Sequence, residues 1–93
     1  MPRYLVVRTF DVTSDDMPEV GRRSRVTIED KYPEIIWEHS HVVVRDDGKV
    51  MTYCVYDAPS EEVVRLHSVD LGRHTIDDVM EIAGDVTPAD FPP

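Results

Sequence analysis

The stretch Ile35-Ile36-Trp37-Glu38-His39-Ser40-His41-Val42-Val43-Val44-Arg45-Asp46-Asp47-Gly48-Lys49-Val50-Met51-Thr52-Tyr53-Cys54-Val55-Tyr56 decides the fold. Two runs rich in β-branched and aromatic residues flank an acidic turn ending in glycine, the pattern of a β-hairpin. Strands are predicted over 35–45 and 50–56. Residues two apart on a strand share a face, so His39 and His41 present neighbouring imidazoles. A two-residue Asp47-Gly48 loop would set His41 opposite Cys54 and His39 opposite Tyr56. Four groups able to bind a metal, move a proton or hold a small molecule would then share one surface. A three-residue loop would shift the register by one and break that cluster.

Outward from the hairpin, Tyr4 to Phe10 reads as a first strand. Asp11 to Asp16 is a loop with several possible N-caps, and Pro18 suits a first helical turn. Met17, Val20, Ser24 and Ile28 recur at helical spacing until Pro33 ends the segment. After the hairpin, Ser60 is a natural N-cap, Glu61 and Glu62 favour the positive end of a helix dipole, and Gly72 supplies the stop. Ile76 to Ala83 reads as a last strand. Strand, helix, strand, strand, helix, strand with right-handed crossovers gives an α+β, ferredoxin-like βαββαβ fold, a four-stranded antiparallel sheet with both helices on one face. The domain is expected over 1–84, followed by a proline-rich tail over 85–93. The bare sheet face needs a cover, and a homodimer through that face would supply it.

On the hairpin, Val42, Val44, Met51, Tyr53 and Val55 form the more apolar set, expected under the helices. Trp37, His39, His41, Val43, Thr52, Cys54 and Tyr56 form the other set, expected to look into a dimer interface or a cleft.

With 93 residues, 41% of them apolar, the chain is one small globular domain. No apolar run is long enough for a membrane helix, and the N-terminus lacks a signal-peptide pattern. One cysteine suits a reducing, cytoplasmic setting. A net charge of −9 argues against nucleic-acid backbones and anionic membranes and leaves cations as possible partners. The chain carries no phosphate-cradling glycine loop, paired-cysteine zinc motif, His-Glu-x-x-His helix or Gly-x-Ser-x-Gly elbow.

Neutral imidazoles suit Ni²⁺, Cu²⁺ and Zn²⁺, so His39 and His41 form a candidate metal pair. A third ligand would come from Cys54, from Glu38 or Asp57, or from a partner subunit, although Glu38 and Asp57 fall on the other face of an ideal strand. A facing His41 could activate the Cys54 thiol. His67 lies on the inner stripe of the second helix, away from His39, where Tyr53 or a backbone carbonyl would anchor it. His74 is expected in solvent, within reach of Asp77 or Asp78. Asp15-Asp16 and Asp46-Asp47 have turn and cap duties, since the spacing of a calcium loop is absent.

Several segments carry a family likeness. Pro2-Arg3-Tyr4-Leu5-Val6, Trp37-Glu38-His39-Ser40, Tyr53-Cys54-Val55-Tyr56-Asp57-Ala58-Pro59-Ser60 and Arg65-Leu66-His67 with Gly72 resemble a family of small bacterial ferredoxin-fold proteins described as nickel-binding. His41 stands where that family usually has an aromatic residue. The resemblance implies a ferredoxin-like dimer that binds Ni²⁺. The candidate metal ligands are His39, His41, Cys54 and His67, with Trp37 and Tyr56 as pocket residues. The rival expectation is a dimeric α/β-barrel-type protein or enzyme. There Trp37, His39, His41, Cys54 and Tyr56 line a pocket for a small organic molecule, a histidine acts as acid–base, and Tyr56 orients the substrate.

Overall fold

A computed structural model describes residues 1–93. Strand β1 (Arg3–Phe10) leads through a 3₁₀ turn (Ser14–Asp16) into helix α1 (Met17–Lys31). The hairpin strands β2 (Ile36–Val44) and β3 (Val50–Asp57) follow, then helix α2 (Glu61–Leu71) and strand β4 (His74–Glu81). The sheet order is β2-β3-β1-β4, with every neighbouring pair antiparallel. Both helices lie on one face, so the expected ferredoxin-like α+β fold is the observed one.

Local chemistry sets the element ends. The Ser60 hydroxyl accepts from the Val63 N–H at 3.3 Å and caps α2. At the other end the Gly72 N–H donates to the Ser68 carbonyl at 3.0 Å. Helix α1 turns Val20, Ser24 and Ile28 inward and ends at Lys31, just before Pro33. Strand β1 alternates strictly, burying Tyr4, Val6, Arg8 and Phe10. Around these side chains gather two apolar clusters, one with Ile28, Tyr56 and Val64, the other with Val20, Val50 and Leu71. Beyond β4, the residues from 84 onward are exposed, and Pro88–Asp90 forms a 3₁₀ turn capped by Thr87.

The hairpin loop has three residues. The Arg45 N–H donates to the Lys49 carbonyl at 2.8 Å, and the Gly48 N–H donates to the Arg45 carbonyl at 2.9 Å. Gly48 sits at φ +85°, the glycine conformation that closes a three-residue hairpin loop. The register is therefore shifted by one from the two-residue expectation. His41 faces Tyr53, Ser40 faces Cys54 and His39 faces Val55. A bulge at Glu38 then shifts the pairing once more and sets Trp37 opposite Tyr56.

These pairings correct the expected faces. Thr52, Cys54 and Tyr56 are buried beneath the helices, not on the bare face. Met51, Tyr53 and Val55 occupy the bare face, with His39, His41 and Val43 beside them. Val42 and Val44 keep the helix side, as expected.

Two consecutive residues after α2 adopt positive φ, Gly72 at +68° and Arg73 at +59°. Gly72, with ψ −173°, occupies a region open essentially to glycine alone. Gly72→Ala is expected to lower unfolding stability by about 1–3 kcal/mol in urea titrations. Arg73→Gly is expected to leave it unchanged or raise it by about 1 kcal/mol. Equal stability of Gly72→Ala and the parent would contradict this account of the turn.

Candidate functional site

The sheet separates the side chains that the sequence suggested as one cluster. On the bare face, the rings of His39 and His41 lie 5.3 Å apart, nearly perpendicular at 78°, and both residues are exposed. The strand alternation that pairs them is as expected. Glu38, displaced by the bulge, receives the Arg3 guanidinium at 2.7 and 3.1 Å. That bond holds the Glu38 carboxyl below its usual range, helped by Asp57 and the nearby His39. Asp57, sharing the same arginine, is pushed up by Glu38. No group of three or more His, Cys, Asp or Glu side chains is gathered closely enough to hold a metal.

The helix face has different chemistry. Arg8, only 1% exposed, lies at its centre. Its Nη1 donates to the Tyr56 hydroxyl at 2.9 Å and to Cys54 Sγ at 3.3 Å. Its Nη2 donates to the Ser68 hydroxyl at 2.8 Å, and that hydroxyl passes its own proton to the Val64 carbonyl at 3.1 Å. The cation beside the thiol is therefore Arg8 rather than His41. Tyr56 is fully buried, and burial first of all pushes its phenol up to about 12, so it stays protonated at neutral pH.

His67 is inward-facing, as its helical spacing predicts. Its partner is neither Tyr53 nor a carbonyl: Nε2 lies 3.2 Å from the Ser24 hydroxyl, bridging α2 to α1. The rings of Tyr56 and Tyr32 flank it at 5.8 and 6.2 Å. Burial, reinforced by the charge of Arg8, pushes the imidazole down to about 4. His74 is half-buried rather than solvated, with Nδ1 2.7 Å from the Gly72 carbonyl. Burial also moves it down. Asp77 is taken up by the Thr9 hydroxyl at 2.6 Å.

Between α1 and the inner faces of β2 and β3 runs a cleft of about 860 Å³. Trp37, Cys54 and Tyr56 line it, together with Arg8, Phe10 and Ser24. His39 borders it and His41 does not. The pocket expected beside Trp37 thus opens on the helix side, without the histidine pair as its wall. Arg8 is the buried charge at the cleft that the sequence pattern did not single out. Its signal was its phase: it alternates with Tyr4, Val6 and Phe10, which marks it as inward.

A family model described as nickel responsive protein SCO4226-like matches residues 4–82. The crystal structure of SCO4226 from Streptomyces coelicolor A3(2) matches with a TM-score of 0.68 at 22% identity, covering 90% of this chain and 99% of that one. The solution structure of the C-terminal domain of the MgtC protein from Mycobacterium tuberculosis matches with a TM-score of 0.60 at 11% identity, covering 90% and 88%. Both structural likenesses are of fold. No curated protein matches the chain significantly. No helix is long and apolar enough to cross a membrane.

The depressed His67 gives a pH signature. Because the folded state resists protonating this imidazole, its contribution to stability is complete above the ordinary histidine value near 6.5. It is lost as pH falls toward about 4. The loss is expected to reach roughly 3 kcal/mol across that window. A His67→Gln variant, which keeps an amide near Ser24 but cannot titrate, should lack that component. Identical pH-stability curves for variant and parent would refute the assignment.

Proposed function

This chain belongs to the nickel-responsive SCO4226-like family, and we propose that it binds a divalent transition metal, nickel foremost, through His39 and His41 and so sequesters it. The observation that carries this reading is the exposed imidazole pair, with ring centres 5.3 Å apart on one side of the sheet. That spacing lets both rings address one ion at metal–nitrogen distances of about 2.1 Å. Imidazole nitrogen is a favoured donor for nickel, copper and zinc, with the divalent order favouring all three. The residues fit the metal as half a site: two imidazoles stand ready, and the chain gathers no third donor around them.

A second copy supplies the other half. The face carrying the histidines also bears Val43 and Met80, each 42% exposed, with half-buried Leu5, Val7 and Tyr53 between them. An apolar sheet face of this extent favours burial against an equal face. In a two-fold dimer the same patch meets itself, so any ion held between copies would see symmetry-related imidazoles. Cys54 and His67, on the helix side of the sheet, belong to different surroundings and are not part of this pair.

Calorimetric titration of the untagged protein with Ni²⁺ is expected to show saturable binding of about one ion per two chains. Binding weakens as pH falls and protons compete for the imidazoles. His39→Ala/His41→Ala is expected to abolish the heat, while Cys54→Ser leaves it unchanged. Equal binding by parent and double variant would remove the strand pair as the site. A protein that stays monomeric with nickel bound would remove the shared-site geometry.

A further inference from the structure

On the opposite side of the sheet, and independently of any metal, we infer that the cleft beneath α1 is a binding site for a small organic carboxylate, with Arg8 as its anchoring cation. Arginine keeps its charge at any physiological pH, and this one is almost wholly buried. All its hydrogen-bond acceptors are neutral: a phenol, a thiol and a hydroxyl. No carboxylate forms an ion pair with it, although the chain holds 19 acidic residues. Its Nε–H is buried with no partner at all. Buried charges in proteins are ordinarily paired, so an unpaired guanidinium lining a cavity marks the place of a missing anion.

The surroundings fit that reading. Two acidic residues border the cleft, Glu29 and Glu38. Each is already committed, Glu29 to Arg25 at 2.9 Å and Glu38 to Arg3 at 2.7 Å. Burial first, and the charge of Arg8 second, push the His67 imidazole down to about 4, so that ring brings no charge of its own at neutral pH; burial moves His74 in the same direction. The cleft volume of about 860 Å³ lies in the range of small-molecule sites. Its walls offer an apolar body Phe10, Ile28 and Trp37, together with the hydroxyls of Ser24 and of Thr52, the residue that faces Arg8 across the strands. Planar, forked donors suit a carboxylate, and an apolar wall suits an aromatic or branched carbon skeleton. The occupant that fits is therefore a monocarboxylate with a hydrophobic body.

Trp37 is the only tryptophan, and its ring lies 6.4 Å from Tyr56, which itself accepts from Arg8. Its fluorescence therefore reports on the cleft. Phenylacetate and indole-3-acetate, titrated to roughly 10 mM, are expected to change that emission saturably and to raise the melting temperature. The uncharged amides, phenylacetamide and indole-3-acetamide, are expected to do neither. Arg8→Met, of similar length and without charge, should weaken carboxylate binding by about tenfold or more while folding at least as stably as the parent. Gly21→Leu gives a second arm. Gly21 lines the cleft and a Cβ there meets nothing within 4 Å, so a leucine would fill the groove with Arg8 in place. It too should lose binding. Absence of any response to both carboxylates, equal binding of acids and amides, or retained binding in either folded variant would overturn the proposal. Nickel titration of Arg8→Met should match the parent, which keeps this test separate from that of the metal site.

Discussion

The pairing of Arg45 with Lys49 across the loop Asp46-Asp47-Gly48 fixes which chemistry stands on which side of the molecule. Gly48 takes the positive φ that a three-residue loop demands. From that one conformation the facing residues follow down the hairpin: Val42 with Thr52, His41 with Tyr53, Ser40 with Cys54. Strand β3 is held from its other edge too, since Val6 faces Cys54 and Arg8 faces Thr52 in β1. A slip by one residue of β2 against β3 would bring the imidazoles inward, and a slip of β3 against β1 would turn the thiol and the Tyr56 phenol away from the helices. Such a slip is disfavoured because it exchanges the whole apolar set of a face at once.

Arg8 is the second organising element. Strand β1 delivers it to the place where a branched aliphatic residue would pack best, between Val6 and Phe10. Replacing buried ionic groups by apolar ones of similar volume is commonly neutral or stabilising. A guanidinium held there by three neutral acceptors is therefore a poor way to gain stability. What it gives is a cation fixed in position, with Tyr56, Cys54 and Ser68 locking its outer nitrogens. His67 shows the effect of this charge on its neighbours. It is kept neutral by burial and by Arg8, and it joins the two helices through Ser24 as a hydrogen-bonding group rather than as an ion.

The fold was legible because its signals are local and mutually consistent. Ser60 caps, Gly72 stops, Pro33 ends, and the apolar periodicity changes from helical to alternating at the expected places. The site was legible in part. Alternation placed His39 and His41 together, and helical spacing turned His67 inward. The turn length was not legible, because Asp46-Asp47-Gly48 is compatible with a loop of two or three residues and only the tertiary pairing selects one. Nor was the bulge at Glu38, which frees that carboxylate to reach Arg3, 35 residues away in sequence. It also sends Trp37 to the face opposite His39, where an ideal strand would keep them together. The choice of inner face misled for a related reason. Tyr53 and Met51 look more apolar than Thr52 and Cys54, but Cys54 accepts from the buried arginine and its thiol donates to the Thr52 hydroxyl.

A single antiparallel sheet, read across its thickness, reconciles these observations. Alternation forces neighbouring residues apart, so a short chain can hold groups of opposite preference without their quenching one another. A pair of imidazoles projects from one surface, and a guanidinium is held beneath the other. Had the two-residue loop prevailed with β1 still holding β3 in register, the histidines would have turned to the helix side, beside Cys54 and Tyr56 and toward the Arg8 cation. The turn thus denies the histidine pair its thiol, while the pairing of β1 with β3 completes the polar cradle of the arginine. Separation of the two surfaces is therefore a consequence of hairpin geometry, independent of what either surface binds.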